Sequence, residues 1–269
     1  MNADQERWVT YAGRAGRLAQ GFIFLCVGLL SAWAALRGGG RATDSRRALH
    51  TIVQQPFGQA VLLALTAGLV CYVLYRLLAA FADVEGQGSD AKGLALRARS
   101  LGIAFIYGGI TAAAVRTVLG SRSGRGGGDQ AARDWTERVM ATPLGSSFVI
   151  LIGTGIVVAG GYQCLRAWRR SYEKQLQLDQ LPGETQRWVT RICAFGIAAR
   201  GLVFTILGVF LIQAGLQSDP SKARGLGGAL DSLHAHPYGG CLFAIVALGL
   251  AAYGIYCCVR ARYGKIGRT

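Results

Sequence analysis

Residues 7–36 read RWVTYAGRAGRLAQGFIFLCVGLLSAWAAL, and residues 187–216 read RWVTRICAFGIAARGLVFTILGVFLIQAGL. The two stretches open identically, at an offset of 180 residues. Inside them Gly21, Phe24 and Gly28 answer to Gly201, Phe204 and Gly208. The same G-x-x-F-x-x-x-G spacing stands a third time at Gly102, Phe105 and Gly109. No charge falls between Leu18 and Leu36, or between Gly201 and Ser218. Uncharged apolar runs of that length match the roughly 20 residues that a helix needs to cross about 30 Å of hydrocarbon.

A second signature follows each copy. PFG at Pro56–Gly58 corresponds to PLG at Pro143–Gly145 and PYG at Pro237–Gly239. Twelve residues past each proline comes Gly68, Gly155 or Gly249, and seven further on Tyr75, Tyr162 or Tyr256. The chain is therefore read as a two-span hairpin written three times, a period that decides the fold. The first hairpin is placed at 7–81 (spans about 18–36 and 57–77). The second occupies 94–168 (spans about 100–119 and 144–165) and the third 187–262 (spans about 197–216 and 238–259). Gly at i and i+7 returns to one helix face, and small residues let backbones approach closely in lipid. These repeated positions are expected to be packing positions inside the bundle. A proline suits the first turn of a helix, where its missing N–H is no loss.

Six uncharged runs fit this plan: 18–36, 57–75, 100–115, 139–165, 201–218 and 232–259. The third is short and spans only if Arg116 reaches outward and 117–120 complete the helix. Composition agrees. AVILMFWYC make up 52% of 269 residues and charged residues only 16%, against about 25% charged in soluble domains. Disorder is excluded by that apolar content. Trp8, Trp168 and Trp188 flank spans on one side, Trp33 and Trp135 on the other, as interfacial anchors do.

These motifs resemble those of a group of bacterial multi-span membrane proteins, the Domain of Unknown Function 1206 family, over about residues 7–262. Its unit is a two-helix hairpin, usually present three times, with a Gly-rich first helix and a P-[FLY]-G start to the second. The resemblance implies an integral membrane protein and brings no catalytic residues with it. The middle copy departs most: it lacks RWVT, Arg97 replaces the Gly of Gly16 and Gly196, and its outer loop is longer. The expected fold is all-α and polytopic, with six transmembrane helices as three parallel two-helix hairpins around a pseudo-threefold axis.

Short amphipathic helices are expected before each second span, after the glycines of each hairpin loop. Asp44 and Ser45 cap the first, with Ala48, Leu49, Ile52 and Val53 on its apolar face. Trp135, Val139 and Met140 repeat the pattern, as do Ala229, Leu230 and Leu233. They either lie on the membrane face or plug the mouth of the bundle. The segment Trp168–Gln180 extends the fourth span outward as a solvated helix until Pro182 and Gly183 break it.

Two spans per copy make every copy enter from one side. The N-terminus, the two linkers between hairpins and the C-terminus carry 18 of the 29 Lys and Arg, and basic residues gather on the cytoplasmic side. Both termini are expected inside, in the inner (plasma) membrane. The first apolar stretch resembles a leader peptide, but its pattern recurs internally at 187–216, so it is expected to be retained as a span. The net charge of +15 then serves anionic headgroups. Nucleic acid is not expected as a partner, because no soluble basic domain with stacking aromatics is present.

Little points to chemistry. The seven cysteines show no C-x-x-C spacing and suit packing in spans. His234-x-His236 offers two metal ligands, with Asp231 nearby and His50 in another outer loop, too few for an expected metal site. Neither G-x-S-x-G, H-E-x-x-H, a P-loop nor a dinucleotide fingerprint occurs. All 14 Asp and Glu lie outside the uncharged runs, so a buried carboxylate relay for ion coupling is absent. Arg76 and Arg200 sit near span ends and are expected to snorkel outward. The expectation is a non-enzymatic membrane scaffold or accessory component, without cofactor. The alternative is a passive channel or transporter with its pathway along the threefold axis.

Overall fold

The computed structural model describes residues 3–36, 58–81, 88, 90–118, 128–173, 176, 182–234 and 239–264. Helices α1 (Ala3–Leu36) and α2 (Gly58–Phe81) form the first hairpin. Helices α3 (Ala91–Val118), α4 (Gly128–Met140) and α5 (Gly145–Trp168) form the second, and α6 (Gly183–Gln217), α7 (Leu226–His234) and α8 (Gly239–Tyr263) the third. A 3₁₀ turn at Pro220–Lys222 links α6 to α7. The described residues contain no strand, only an isolated bridge between Leu176 and Gly264. The chain is thus all-α, and six helices, α1, α2, α3, α5, α6 and α8, are long and apolar enough to cross a membrane.

Their outward faces are apolar as well. Leu29, Leu63, Phe105, Leu151, Val158 and Leu216 are all more than half exposed. Large exposed apolar residues on helix after helix suit an apolar surrounding. At about 1.5 Å per residue, α1 and α6 are near 50 Å long, longer than the roughly 30 Å of a bilayer's hydrocarbon.

The second span of each hairpin packs on the first span of the next: α2 on α3, α5 on α6, and α8 back on α1. Within hairpins, α1 packs on α2 and α6 on α8. This cyclic order is that of three equivalent units around one axis. Glycine makes the closest joints. Gly160 opposes Gly201 and Gly153 opposes Gly208, so α5 and α6 meet backbone to backbone; a Cβ on Gly201 would stand 2.8 Å from the Gly160 carbonyl oxygen. At the ring-closing joint, a Cβ on Gly21 would stand 2.8 Å from the Gly254 carbonyl oxygen, and one on Gly28 would collide with Ala251 and Ala247. Gly68 rests on Ala19 and Gly249 on Ala199, the same pairing in hairpins one and three.

The middle hairpin is different. Among the described residues, α3 and α5 share at most marginal contact. Gly102, Gly109 and Gly155 have nothing within 4 Å of a built Cβ, while Phe105 is 69% and Tyr162 59% exposed. The joint also differs in sequence. Where α5 and α8 present Gly153, Gly160, Ala247 and Gly254 to their neighbours, α2 has the bulkier Thr66 and Val73 at the equivalent positions. A hollow of about 420 Å³ between α2 and α3 is lined by Val70, Val73, Leu74, Thr111, Ala112 and Val115. Arg97, the departure from Gly16 and Gly196, turns this looseness to use. Its Nε donates to the Ala80 carbonyl at 2.6 Å and its Nη2 to that of Phe81 at 3.1 Å, supplying donors to the last turn of α2.

The short helices plug the bundle end. Ala229 and Leu230 of α7 are fully buried, and Val139 and Met140 of α4 pack on Val149, Leu211 and Ala214. Asp129 of α4 ties the two together, its Oδ1 accepting from Gly225 N at 2.7 Å and Gly228 N at 2.9 Å. The predicted short helix at Asp44–Val53 lies outside the described residues, as do Pro56 and Pro237. For the PLG copy the structure supplies a reason. Pro143 and Leu144 turn the chain sharply, with Leu144 left-handed at φ 66°, and Gly145 sits so close beneath the Val139 carbonyl that a side chain has no room.

One expectation is corrected. The fourth span does not continue through Trp168–Gln180; α5 stops at Trp168. Arg170 adopts a left-handed φ of 51°, and the chain turns back to insert Tyr172, fully buried, whose hydroxyl donates to the Thr190 carbonyl at 2.7 Å. Burial, then the adjacent Glu173 carboxylate, push the Tyr172 phenol well above the ordinary tyrosine range. A raised phenol pKa contributes stability that is fully present below the unfolded value of about 10 and is lost as pH rises through the folded one. Alkaline unfolding of the native chain is therefore expected to be steeper than that of Tyr172→Phe above about pH 10, read by circular dichroism. Identical alkaline limbs would contradict the role given to this hydroxyl.

Candidate functional site

Toward the end of the bundle where α2 and α8 finish, five arginines from five helices gather among tyrosines. Tyrosine at i and i+3 places Tyr72 and Tyr75 on one face of α2, and Tyr253 and Tyr256 on one face of α8. All four are at most 5% exposed. Gly16 and Gly196 are what admit them, the backbone of α1 closing on Tyr72 and that of α6 on Tyr253.

Four tyrosine hydroxyls each accept from one guanidinium. Arg17 Nη2 donates to Tyr75 at 3.3 Å, Arg76 Nη2 to Tyr72 at 3.3 Å, and Arg166 Nη2 to Tyr256 at 3.3 Å. Arg200 Nη1 donates to Tyr253. The site level is also crossed by Gln20, whose Nε2 donates to Tyr107 at 2.6 Å. The rings are stacked edge to face: Phe24 on Tyr253 at 5.0 Å and Tyr72 on Tyr107 at 4.9 Å between centroids.

Arg200 occupies the middle. Its guanidinium lies 4.5 Å from the Tyr253 ring centroid, 4.6 Å from Phe204 and 5.6 Å from Phe24. Arginine over aromatic faces gains from the ring quadrupole, the more so away from water. The signature positions Phe24, Phe204, Tyr75 and Tyr256 thus converge on this cluster. Phe105 and Tyr162 of the middle hairpin do not join it; both lie on exposed faces.

The outward snorkelling expected of Arg76 and Arg200 is corrected. Arg76 is 6% exposed and lies over Tyr72 and Tyr75, and Arg200 turns into the aromatic cage. Helix rotation decides this, and rotation is set by the glycine joints, which bring the arginine faces inward. Arg17, Arg166 and Arg260 join from positions that sequence reasoning assigned only to the basic side. One signal was readable: Arg166 and Arg260 stand at the same distance past Pro143 and Pro237.

Guanidinium groups stay charged when buried, and a buried charge is costly unless paired. Among the described residues, the titratable groups that act most strongly on Arg17, Arg200 and Arg260 are tyrosines, Cys257 and other arginines. Arg200 Nε, and Nε and Nη1 of Arg17, are buried without a hydrogen-bond partner among the described residues. The arrangement suits coordination of an anion. No group of three or more His, Cys, Asp and Glu able to hold a metal occurs among the described residues. Side chains of His50, His234 and His236 lie outside the described set. All seven cysteines are free thiols.

The Domain of Unknown Function (DUF1206) family model matches three times in tandem, at residues 15–83, 100–170 and 195–264. The chain belongs to this family. Each match coincides with one hairpin, so the family unit and the structural unit are the same object. A relative in Bacillus subtilis (strain 168), carrying the name Uncharacterized protein YxxB, is 32% identical over 263 residues, covering 98% of this chain and 94% of its own length. The similarity therefore runs through all three hairpins. No solved structure matches the chain.

Proposed function

We propose that this DUF1206 protein is a non-enzymatic, multi-pass scaffold or accessory component of the plasma membrane, with both termini cytoplasmic and its basic side on anionic headgroups. One observation supports the reading over a channel: large side chains pack between the helices. Phe24 of α1 stacks on Tyr253 of α8, and Arg200 of α6 lies over Tyr253 and Phe204. Tyr72 of α2 stacks on Tyr107 of α3, which accepts from Gln20 of α1. These side chains take up space that an open pathway between the helices would need. The excess of Lys and Arg on the terminal side supports the orientation, and their charge supports contact with anionic lipid.

Two measurements test it. Reconstituted in liposomes, the protein is expected to pass neither ions nor small solutes above the protein-free background; a reproducible solute flux would favour the channel. In a cysteine-depleted background, Ser221→Cys is expected to react with a membrane-impermeant maleimide on intact cells, and Arg170→Cys only after lysis. The reverse pattern would invert the topology.

A further inference from the structure

The hollow between α2 and α3 lies where the middle hairpin departs from the other two. Gly108, Thr111, Ala112, Val115 and Arg116 line its α3 wall, positions that fall on one helix face. Across from them on α2, Val70 and Leu74, like Val115, are each more than a third exposed, so the hollow opens sideways from the bundle. Thr111 adds little polarity, because its Oγ1 donates to the Tyr107 carbonyl at 2.7 Å. On α3 the hollow stops at Gly108, next to Tyr107, whose ring stacks on Tyr72. At the hairpin-loop end stands Arg116, exposed and in the last turn of α3. Hairpins one and three carry Ala35 and Gly215 at the position of Arg116, and their equivalent joints are closed on glycine. The open joint and the arginine therefore occur together.

An apolar trough that ends at one cation matches the two ends of a phospholipid. From Gly108 to Arg116 the trough runs about 12 Å at the helical rise, close to the roughly 15 Å of hydrocarbon in one leaflet. Methylenes laid against valine and leucine make dispersion contacts that a gap forfeits, and a guanidinium pairs phosphate oxygens two at a time. We infer that the hollow holds one acyl chain of a phospholipid whose phosphate sits on Arg116. The chain runs inward along Val115 and Ala112, with its methyl end toward Gly108 and Val73. This is the hairpin-loop end of the bundle, opposite the basic side placed on anionic headgroups above. The site rests on the membrane placement proposed there, and not on the choice between scaffold and channel.

The test uses the full chain in a maltoside detergent, with native mass spectrometry counting the lipids retained. Dioleoylphosphatidylglycerol is the probe, and dioleoylglycerol, which lacks the phosphate, is the comparison. Gly108→Phe is expected to retain one phosphatidylglycerol fewer than the native chain; a Cβ there meets nothing within 4 Å, so the ring can enter the hollow. Ala112→Leu stands in where Gly108→Phe fails to fold. Ile106→Phe, on α3 but outside the lining and 56% exposed, is expected to retain as many as the native chain. Arg116→Gln is expected to weaken retention of that same lipid about fivefold, the upper range for an exposed charged pair. Arg138→Gln, exposed at the same end of the bundle, is expected to leave it unchanged. Equal counts for the native chain and Gly108→Phe, or Ala112→Leu in its place, would overturn the inference. So would dioleoylglycerol held as tightly as phosphatidylglycerol, or Arg116→Gln holding the lipid as the native chain does. A native dimer that Gly108→Phe separates would give the hollow to a second copy and overturn it as well. Solute flux in the liposome assay would sink the scaffold reading and leave the lipid count unchanged.

Discussion

Gly28→Leu is expected to destabilise the bundle by about 3 kcal/mol or more, whereas Gly109→Leu, the same position of the next hairpin, is expected to stay within about 0.5 kcal/mol of the native chain. The two glycines are equivalent in sequence and opposite in surroundings. At Gly28 a Cβ meets Ala251 main-chain atoms and stands 2.7 Å from the Ala247 carbonyl oxygen. Backbone cannot swing aside as a long side chain can, so α1 and α8 must part, and with them the joint that closes the ring. At Gly109 nothing stands within 4 Å, and an added side chain meets only the open face of α3. Helix propensity even favours the second change, glycine being about 0.8–1.0 kcal/mol worse than alanine in a helix interior. Thermal unfolding of the two purified variants in one detergent reads the difference. Equal losses would mean that the middle hairpin is packed like the others.

The Arg200–Tyr253 pair gives the second large effect. Tyr253→Phe is expected to cost about 2 kcal/mol, the range for a hydrogen bond to a charged group, because it strips an acceptor from a guanidinium that already has its Nε unpartnered among the described residues. Arg200→Met is expected to be neutral or to stabilise by about 1 kcal/mol, since exchanging a buried charge for an apolar side chain of similar volume commonly does. Carried out in the Arg200→Met background, Tyr253→Phe should then cost less than about 0.5 kcal/mol, so that the two changes are strongly non-additive. Additive effects would show that the hydroxyl serves something other than Arg200. A large loss on Arg200→Met would show that the charge itself holds the bundle together.

Much of the architecture was legible because lipid imposes long uncharged runs and tandem duplication leaves matching residues. Arg7–Thr10 against Arg187–Thr190 located the repeat, and Pro143 with Gly145 located the entry of a second span. The short helices could be read from the spacing of Val139 and Met140 and of Ala229 and Leu230. What could not be read was whether a given glycine is covered. Gly109 and Gly208 look alike, yet a Cβ on Gly208 would meet Gly153 and Val157 of α5 while nothing stands within 4 Å of one on Gly109. The direction of an arginine near a span end is equally hidden, because Arg76 can reach water or turn under Tyr72 according to a rotation of α2 fixed by Gly68 on Ala19. The end of α5 was misread for a local reason. Arg170 leaves the helical region so that Tyr172 can be buried, and nothing in WRRSYEKQ announces the phenol's partner, the Thr190 carbonyl on another helix.

A membrane-spanning bundle requires the outward faces of the six helices to lie in hydrocarbon. Nitroxide labels at Phe105, Leu151, Val158 and Leu216, all outward-facing and exposed, measure this directly when the protein is reconstituted in liposomes. Power saturation is predicted to show ready collision with dissolved oxygen and little with a water-soluble nickel chelate at all four sites. Chelate collision at the level of a free surface label at these positions would place the faces in water and contradict the membrane fold.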